Sequence, residues 1–155
     1  LRLAMPSNLY LLGTMNTTDR SVGSLDLALR RRFVFMRIEP RTVEEMKDLL
    51  DDSTLISFLP SWNKLNELLI DNIGRDAQIG HSYFFEAEQA KSRELNEGSV
   101  HLFRDLILPQ LCEILVTFGS VGLVETPQFQ DLDFKGWTVK LEGRGLDRLP
   151  YVTSK

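Results

Sequence analysis

Before Pro40 the chain holds two apolar runs, Asn8 to Thr14 and Phe33 to Glu39, separated by one short helical pattern, and the next strand-like alternation begins only at Trp137. The first run, Asn8-Leu9-Tyr10-Leu11-Leu12-Gly13-Thr14, does not alternate, which is the pattern of a parallel strand covered on both faces. Two strands and one helix bury too little apolar surface to stand alone. This segment is therefore expected either to pack on the helical lobe beyond Pro40 or to be the torn edge of a larger sheet.

Helical spacing dominates after Pro40. Thr42 with Glu45 makes a capping box for a helix carrying Met46, Leu49 and Leu50. Ser61 is placed to cap a second helix, with Trp62, Leu65, Leu68, Leu69 and Ile73 on one face and Gly74 ending it. Arg75 to Phe85 reads as a loop or turn, and Glu86 to Gly98 as a charged segment of variable pattern. From Ser99 a long apolar helical pattern runs to Phe118, divided or kinked by Pro109. In the tail, Trp137, Val139 and Leu141 alternate with Thr138, Lys140 and Glu142 as in a half-buried strand. Three regions result: a strand-rich segment 1–40, a helical lobe 41–119 and a tail 120–155 with one or two strands.

Charge and cysteine content remove several classes of function. Eighteen basic against 22 acidic residues give a formal charge of -4, so the chain lacks the broad positive field of a nonspecific nucleic-acid binder. The single cysteine, Cys112, excludes an intrachain disulfide and a thiolate metal cluster, and no metal site is expected. No apolar run has the length of a bilayer span and no signal-peptide pattern opens the chain, so no membrane partner is expected and cytoplasm is the default location. Because the sequence opens on Leu1-Arg2-Leu3-Ala4, a longer parent protein is expected.

Polar residues gather where the first run ends. Open α/β sheets place ligand chemistry at the carboxyl ends of their strands, and Asn16-Thr17-Thr18-Asp19-Arg20-Ser21 begins there. A short helix with Leu25, Ala28 and Leu29 on one face comes next, closing on Arg30, Arg31 and Arg32. Three cations at a helix C-terminus are favoured by its dipole without any further role. Asn16 could simply end a strand in a turn, and Asp19 and Arg20 could pair or cap the helix. A nucleic-acid adaptor built on Arg30 to Arg32 is opposed by the acidic balance, by Asp26 and Glu39, and by the absence of nearby stacking aromatics.

The stretch Gly13-Thr14-Met15-Asn16-Thr17-Thr18-Asp19-Arg20-Ser21, then Leu25 to Phe33 (LDLALRRRF), and later Ile79-Gly80-His81-Ser82-Tyr83-Phe84, closely resembles the McrB family of AAA+ proteins. The blocks stand in the family's order, and the resemblance covers about Asn8 to Phe118. It implies an α+β fragment of an α/β P-loop fold: the last strands of a parallel sheet, a helical lid lobe and a short strand-containing tail. Asn16 matches the sensor I position, where a neutral amide can donate to a terminal phosphate and orient the attacking water. Arg31 or Arg32 matches the arginine finger offered to a neighbouring subunit's nucleotide, a task suited to a permanently charged, bidentate guanidinium. Asp19, Arg20 and Arg30 are implied as organisers of the site or the subunit interface. His81 falls at or near the sensor II position, where other AAA+ proteins carry arginine.

No G-x-x-x-x-G-K-[ST] loop occurs in the sequence, so tight nucleotide binding by this chain alone is not expected. Leu68-Leu69-Ile70-Asp71-Asn72 is the nearest approach to a Walker B strand, yet it lacks the second acid and falls in a helical pattern. The resemblance thus implies part of a nucleoside triphosphatase motor, inactive alone, that in its complete form hydrolyses GTP or ATP with Mg2+ in a homo-oligomeric ring. It further implies an McrC-like activating nuclease subunit and an indirect action on DNA. The competing reading is a non-catalytic interaction module derived from such a motor.

Overall fold

The computed structural model describes residues 6–15, 28, 31–92, 101–144 and 148–155, the side chains of residues 91 and 92 excepted. By contact density the chain divides into two units, Leu1–Phe35 and Met36–Lys155.

In the first unit, residues 9–15 are neither helical nor paired in a sheet, and Tyr10 and Leu12 are almost wholly exposed. Of the short helix expected before the arginines only Ala28 is described, and it is helical. Residues 33–39, which cross into the second unit, are also unpaired. Their exposure alternates all the same: Val34 is 92%, Met36 85% and Ile38 90% exposed, while Phe33 and Phe35 are about half that. Neither expected strand forms a ladder among the described residues. A parallel strand owes its stability to backbone partners on both sides, and the described residues place none beside either run.

The second unit is built on helices. The Thr42 hydroxyl accepts from the Glu45 N–H while the Glu45 carboxylate accepts from the Thr42 N–H, so the capping box forms and starts α1 at Val43–Lys47. Met46 and Leu50 enter the core, whereas Leu49 stays 46% exposed. Asp52 caps α2, Ser53–Ile56. The long helix α3 runs Leu59–Asn72. It starts before Ser61 and without any side-chain cap, because Pro60 occupies the first turn, where a missing N–H leaves nothing unsatisfied. Trp62, Leu65, Asn66 and Leu69 form its buried stripe, and the Walker-B-like stretch is simply its last turns, with Asp71 exposed. Gly74 ends it at φ 127, a conformation other residues adopt only under strain.

A 3₁₀ turn at Arg75–Ala77 leads to α4, Ser82–Ser92, which replaces the loop expected up to Phe85. Leu102–Ile107 then forms a π turn that passes into α5, Leu108–Thr117. The Leu108 N–H reaches back five residues to the Phe103 carbonyl, and Pro109, which has no N–H to give, sits in the first turn of α5. The division expected at this proline is therefore real, and its form is a change of helical register.

The tail shares the same core. After a 3₁₀ turn at Val121–Glu125 and α6, Pro127–Gln130, an antiparallel pair closes the chain: β1, Trp137–Glu142, and β2, Leu149–Ser154, with Val139 opposite Val152. Four rings run through the interior, Phe58 to Phe103 at 5.3 Å, Phe103 to Phe134 at 5.4 Å and Phe134 to Phe129 at 5.8 Å, joining the start of α3, the π turn and the tail. Each such buried ring removes enough apolar surface from water to contribute roughly 2–3 kcal/mol.

Candidate functional site

Asn16, Asp19, Arg20 and Arg30 lie outside the described residues. Arg31 and Arg32 are described, exposed and in a turn of the first unit. His81 belongs to the second unit, where its surroundings are well defined and form the site that can be built from atoms.

That site is the turn from Gly74 to His81, held from two sides. On the core side, α3 carries Asn66, only 5% exposed, one turn beyond Trp62. The Asn66 carboxamide pairs with the Ile79 peptide group as a strand would: its oxygen accepts from the Ile79 N–H at 2.8 Å and its nitrogen donates to the Ile79 carbonyl at 3.0 Å. The Trp62 indole N–H donates to that same carbonyl at 3.0 Å, and its ring meets Phe84 edge-on at 5.5 Å. Ile79 itself is buried. A buried, fully satisfied neutral network of this kind fixes one backbone position, because losing any member strands a polar group without water. Sequence reasoning did not single out Asn66, which falls among the residues of the second expected helix. Its signal was a polar residue on an otherwise apolar helical face.

On the outer side the turn meets the segment that comes after the arginines. The Arg37 guanidinium pairs with Asp76, and Arg75 Nη1 donates to Glu39 Oε1 at 3.2 Å. With its amide turned so that nitrogen faces acceptors, Gln78 donates to Glu39 Oε2 at 2.7 Å. The Arg41 backbone N–H donates to His81 Nδ1 at 3.2 Å.

His81 is half-buried, with its ring edge-on to Phe85 at 5.9 Å. Burial, reinforced by the charge of Arg41 and opposed by Glu45, pushes its pKa below the ordinary histidine value. Since Nδ1 accepts, the proton of the neutral ring is on Nε2. The ring thus anchors the chain entering α1 to the start of α4.

Elsewhere, Tyr83 donates to Gln110 at 3.1 Å, joining α4 to α5, and the Glu88 carboxylate accepts from the backbone N–H groups of Asp51 and Asp52 at 2.9 and 3.1 Å, securing the approach to α2. Cys112 is pushed up to about 11 by burial and is no nucleophile at neutral pH. Among the described residues no group of His, Cys, Asp and Glu has the arrangement of a metal site, and no helix is long and apolar enough to cross a membrane.

The similarity to known proteins falls on this turn and the helices around it. Residues 60–117 match the family model described as McrB, alpha-helical lid domain. Over 92 residues the chain is 41% identical to the type IV methyl-directed restriction enzyme EcoKMcrB subunit of Escherichia coli strain K12, an alignment covering 54% of this chain and 20% of that protein. The match thus spans about a fifth of the length of this curated relative. No solved structure matches.

Proposed function

From an McrB-type lid at residues 60–117 as premise, we propose that this chain is part of an AAA+ nucleoside triphosphatase motor of a restriction system, supplying sensor I, an arginine finger and the lid. The observation that carries the reading is the lid match itself, lying downstream of the Asn16 and Arg30 to Arg32 motif in the order of the family. The 41% identity to a restriction enzyme subunit supports the same conclusion.

GTP or ATP with Mg2+ supplies the phosphoanhydride that is hydrolysed. The residues of this chain fit the part of helpers, since the exposed Arg31 and Arg32 are free of any burial that would oppose reaching an anion, while the sequence holds no phosphate-cradling loop. In this reading Asn16 orients the attacking water through its amide. Arg31 or Arg32 reaches the phosphate bound by a neighbouring copy and offsets the negative charge that builds there. Asp19, Arg20 and Arg30 organise that junction, and the lid sets when it closes, with His81 fixing the lid's first turn. The working form is a homo-oligomeric ring with an McrC-like nuclease subunit as activating partner and DNA as the indirect target.

Hydrolysis by the full-length parent tests this. Arg31→Ala or Arg32→Ala is expected to lower kcat by about 10³-fold or more for whichever is the finger. Mixing that variant with an Asn16→Ala subunit should recover part of the activity, because each subunit then supplies what the other lacks. A parent that neither binds nor hydrolyses GTP or ATP, with candidate partners present, leaves the interaction-module reading in its place.

A further inference from the structure

The turn at 74–81 is gripped by chemically different hands, and the difference assigns a direction of movement. Toward the core, Asn66 and Trp62 hold Ile79 by buried neutral hydrogen bonds. Toward the chain that arrives from the arginines, the contacts are exposed and mostly ionic: Arg37 to Asp76 and Glu39 to Arg75, with the Arg41 to His81 hydrogen bond at the end of the row and Arg37 to Glu39 at 3.7 Å within the incoming segment. Three contacts advance together along both segments, residue 37 against 76, 39 against 78 and 41 against 81, with Arg75 reaching back to Glu39, so that they form a strap rather than a scatter of surface pairs.

Buried hydrogen bonds break only with the local core, whereas an exposed ion pair is worth little and is screened by salt. We propose that residues 37–41 are a releasable ionic strap on a turn that stays fixed to the lid, so that the lid swings by unzipping this strap while Gly74 to His81 moves with α3. Arg37 and Asp76 are then positioning residues that set how often the strap is closed. All of these contacts lie within the second unit, so the strap does not depend on the chain being part of a nucleotide-hydrolysing motor.

Amide hydrogen exchange on the full-length protein without nucleotide reads the strap directly. Arg37→Glu and Asp76→Arg are each expected to speed exchange of the Arg41 amide, which donates to His81, by about two- to fivefold and to leave α3 and Ile79 unchanged, and the double charge swap should restore the original rate. Raising salt from about 0.05 M to about 0.5 M should move the unaltered protein the same way, while the double swap remains salt-sensitive. Unchanged exchange in both single variants overturns the proposal. So does exchange that rises equally in α3, which would mean that the strap is part of one rigid lid. Where the parent hydrolyses nucleotide, the single variants should shift KM more than kcat, and the charge swap should reverse that shift. A parent that hydrolyses neither GTP nor ATP while the exchange changes appear as expected would count against the motor reading and leave the strap intact.

Discussion

At Ile79 the backbone N–H and C=O together make three hydrogen bonds with two side chains, and the redundancy is unequal. The carbonyl has two donors, Asn66 and Trp62, while the N–H has only the Asn66 oxygen. Asn66→Ala therefore strands a buried N–H and should cost about 1–3 kcal/mol in urea unfolding. Had Asn66 merely filled space, the loss would sit at the low end and amide exchange at Ile79 would stay slow. His81 makes a second testable point. Its pKa is lowered on folding, so the neutral ring contributes stability that is present above the ordinary value of about 6.5 and is eroded as pH falls from there to the lower folded value. An NMR titration should give a His81 midpoint below about 6.5, with the Arg41 amide moving alongside it. A midpoint at or above 6.5, or an Arg41 amide that ignores the titration, would show that the Nδ1 contact is not made in solution. Asp105 has the same sign at lower pH, here because its charged form is favoured: it is held down to about 2 chiefly by its hydrogen bond with Arg104, then by His101, so that its contribution vanishes as pH falls from about 3.8 toward 2.

Among the elements, those with local chemical punctuation were readable from the sequence. Thr42 and Glu45 announce α1, and Thr42→Ala should lower stability by about 1 kcal/mol through loss of the cap, a change that thermal unfolding would register. Pro109 marked the break between the π turn and α5, and Gly74 marked the end of α3. The start of α3 was misplaced because Phe58, its first flanking residue, offers no capping side chain. The beginning of α4 was missed for a different reason: Tyr83, Phe84 and Phe85 stand side by side, so no helical period shows, although only Phe84 of the three is fully buried. The two runs expected as strands show the limit of pattern alone. Their composition suits a sheet, but a ladder needs neighbours, and none stands beside them among the described residues. For the site, residue types and family motif named Asn16, the arginines and His81, whereas the Asn66 clamp and the ionic strap depend on segments far apart in sequence and could not be read from spacing.

For the molecule as a whole, the tail is as much a part of the interior as the helices. Phe134 contacts both Phe103 and Phe129, and Lys135 places its ammonium over the Phe58 ring at 5.3 Å. Phe134→Ala should cost about 3–5 kcal/mol, and ending the chain at Gly119 should abolish cooperative unfolding of the second unit; a truncated chain with a sharp, unshifted transition would show the tail to be an appendage. The π turn at Leu102–Ile107 has a consequence on a different timescale. A π turn is an α-helix carrying one residue too many, so the chain here holds a spare link. Removing one exposed residue from it lets the segment rewind to ordinary pitch without rotating Leu111, Ile114 and Leu115 away from the core. Lineages related to this protein can therefore gain or lose a single codon at this point and keep the same shape, and aligned lengths should differ there sooner than anywhere else in the helical core.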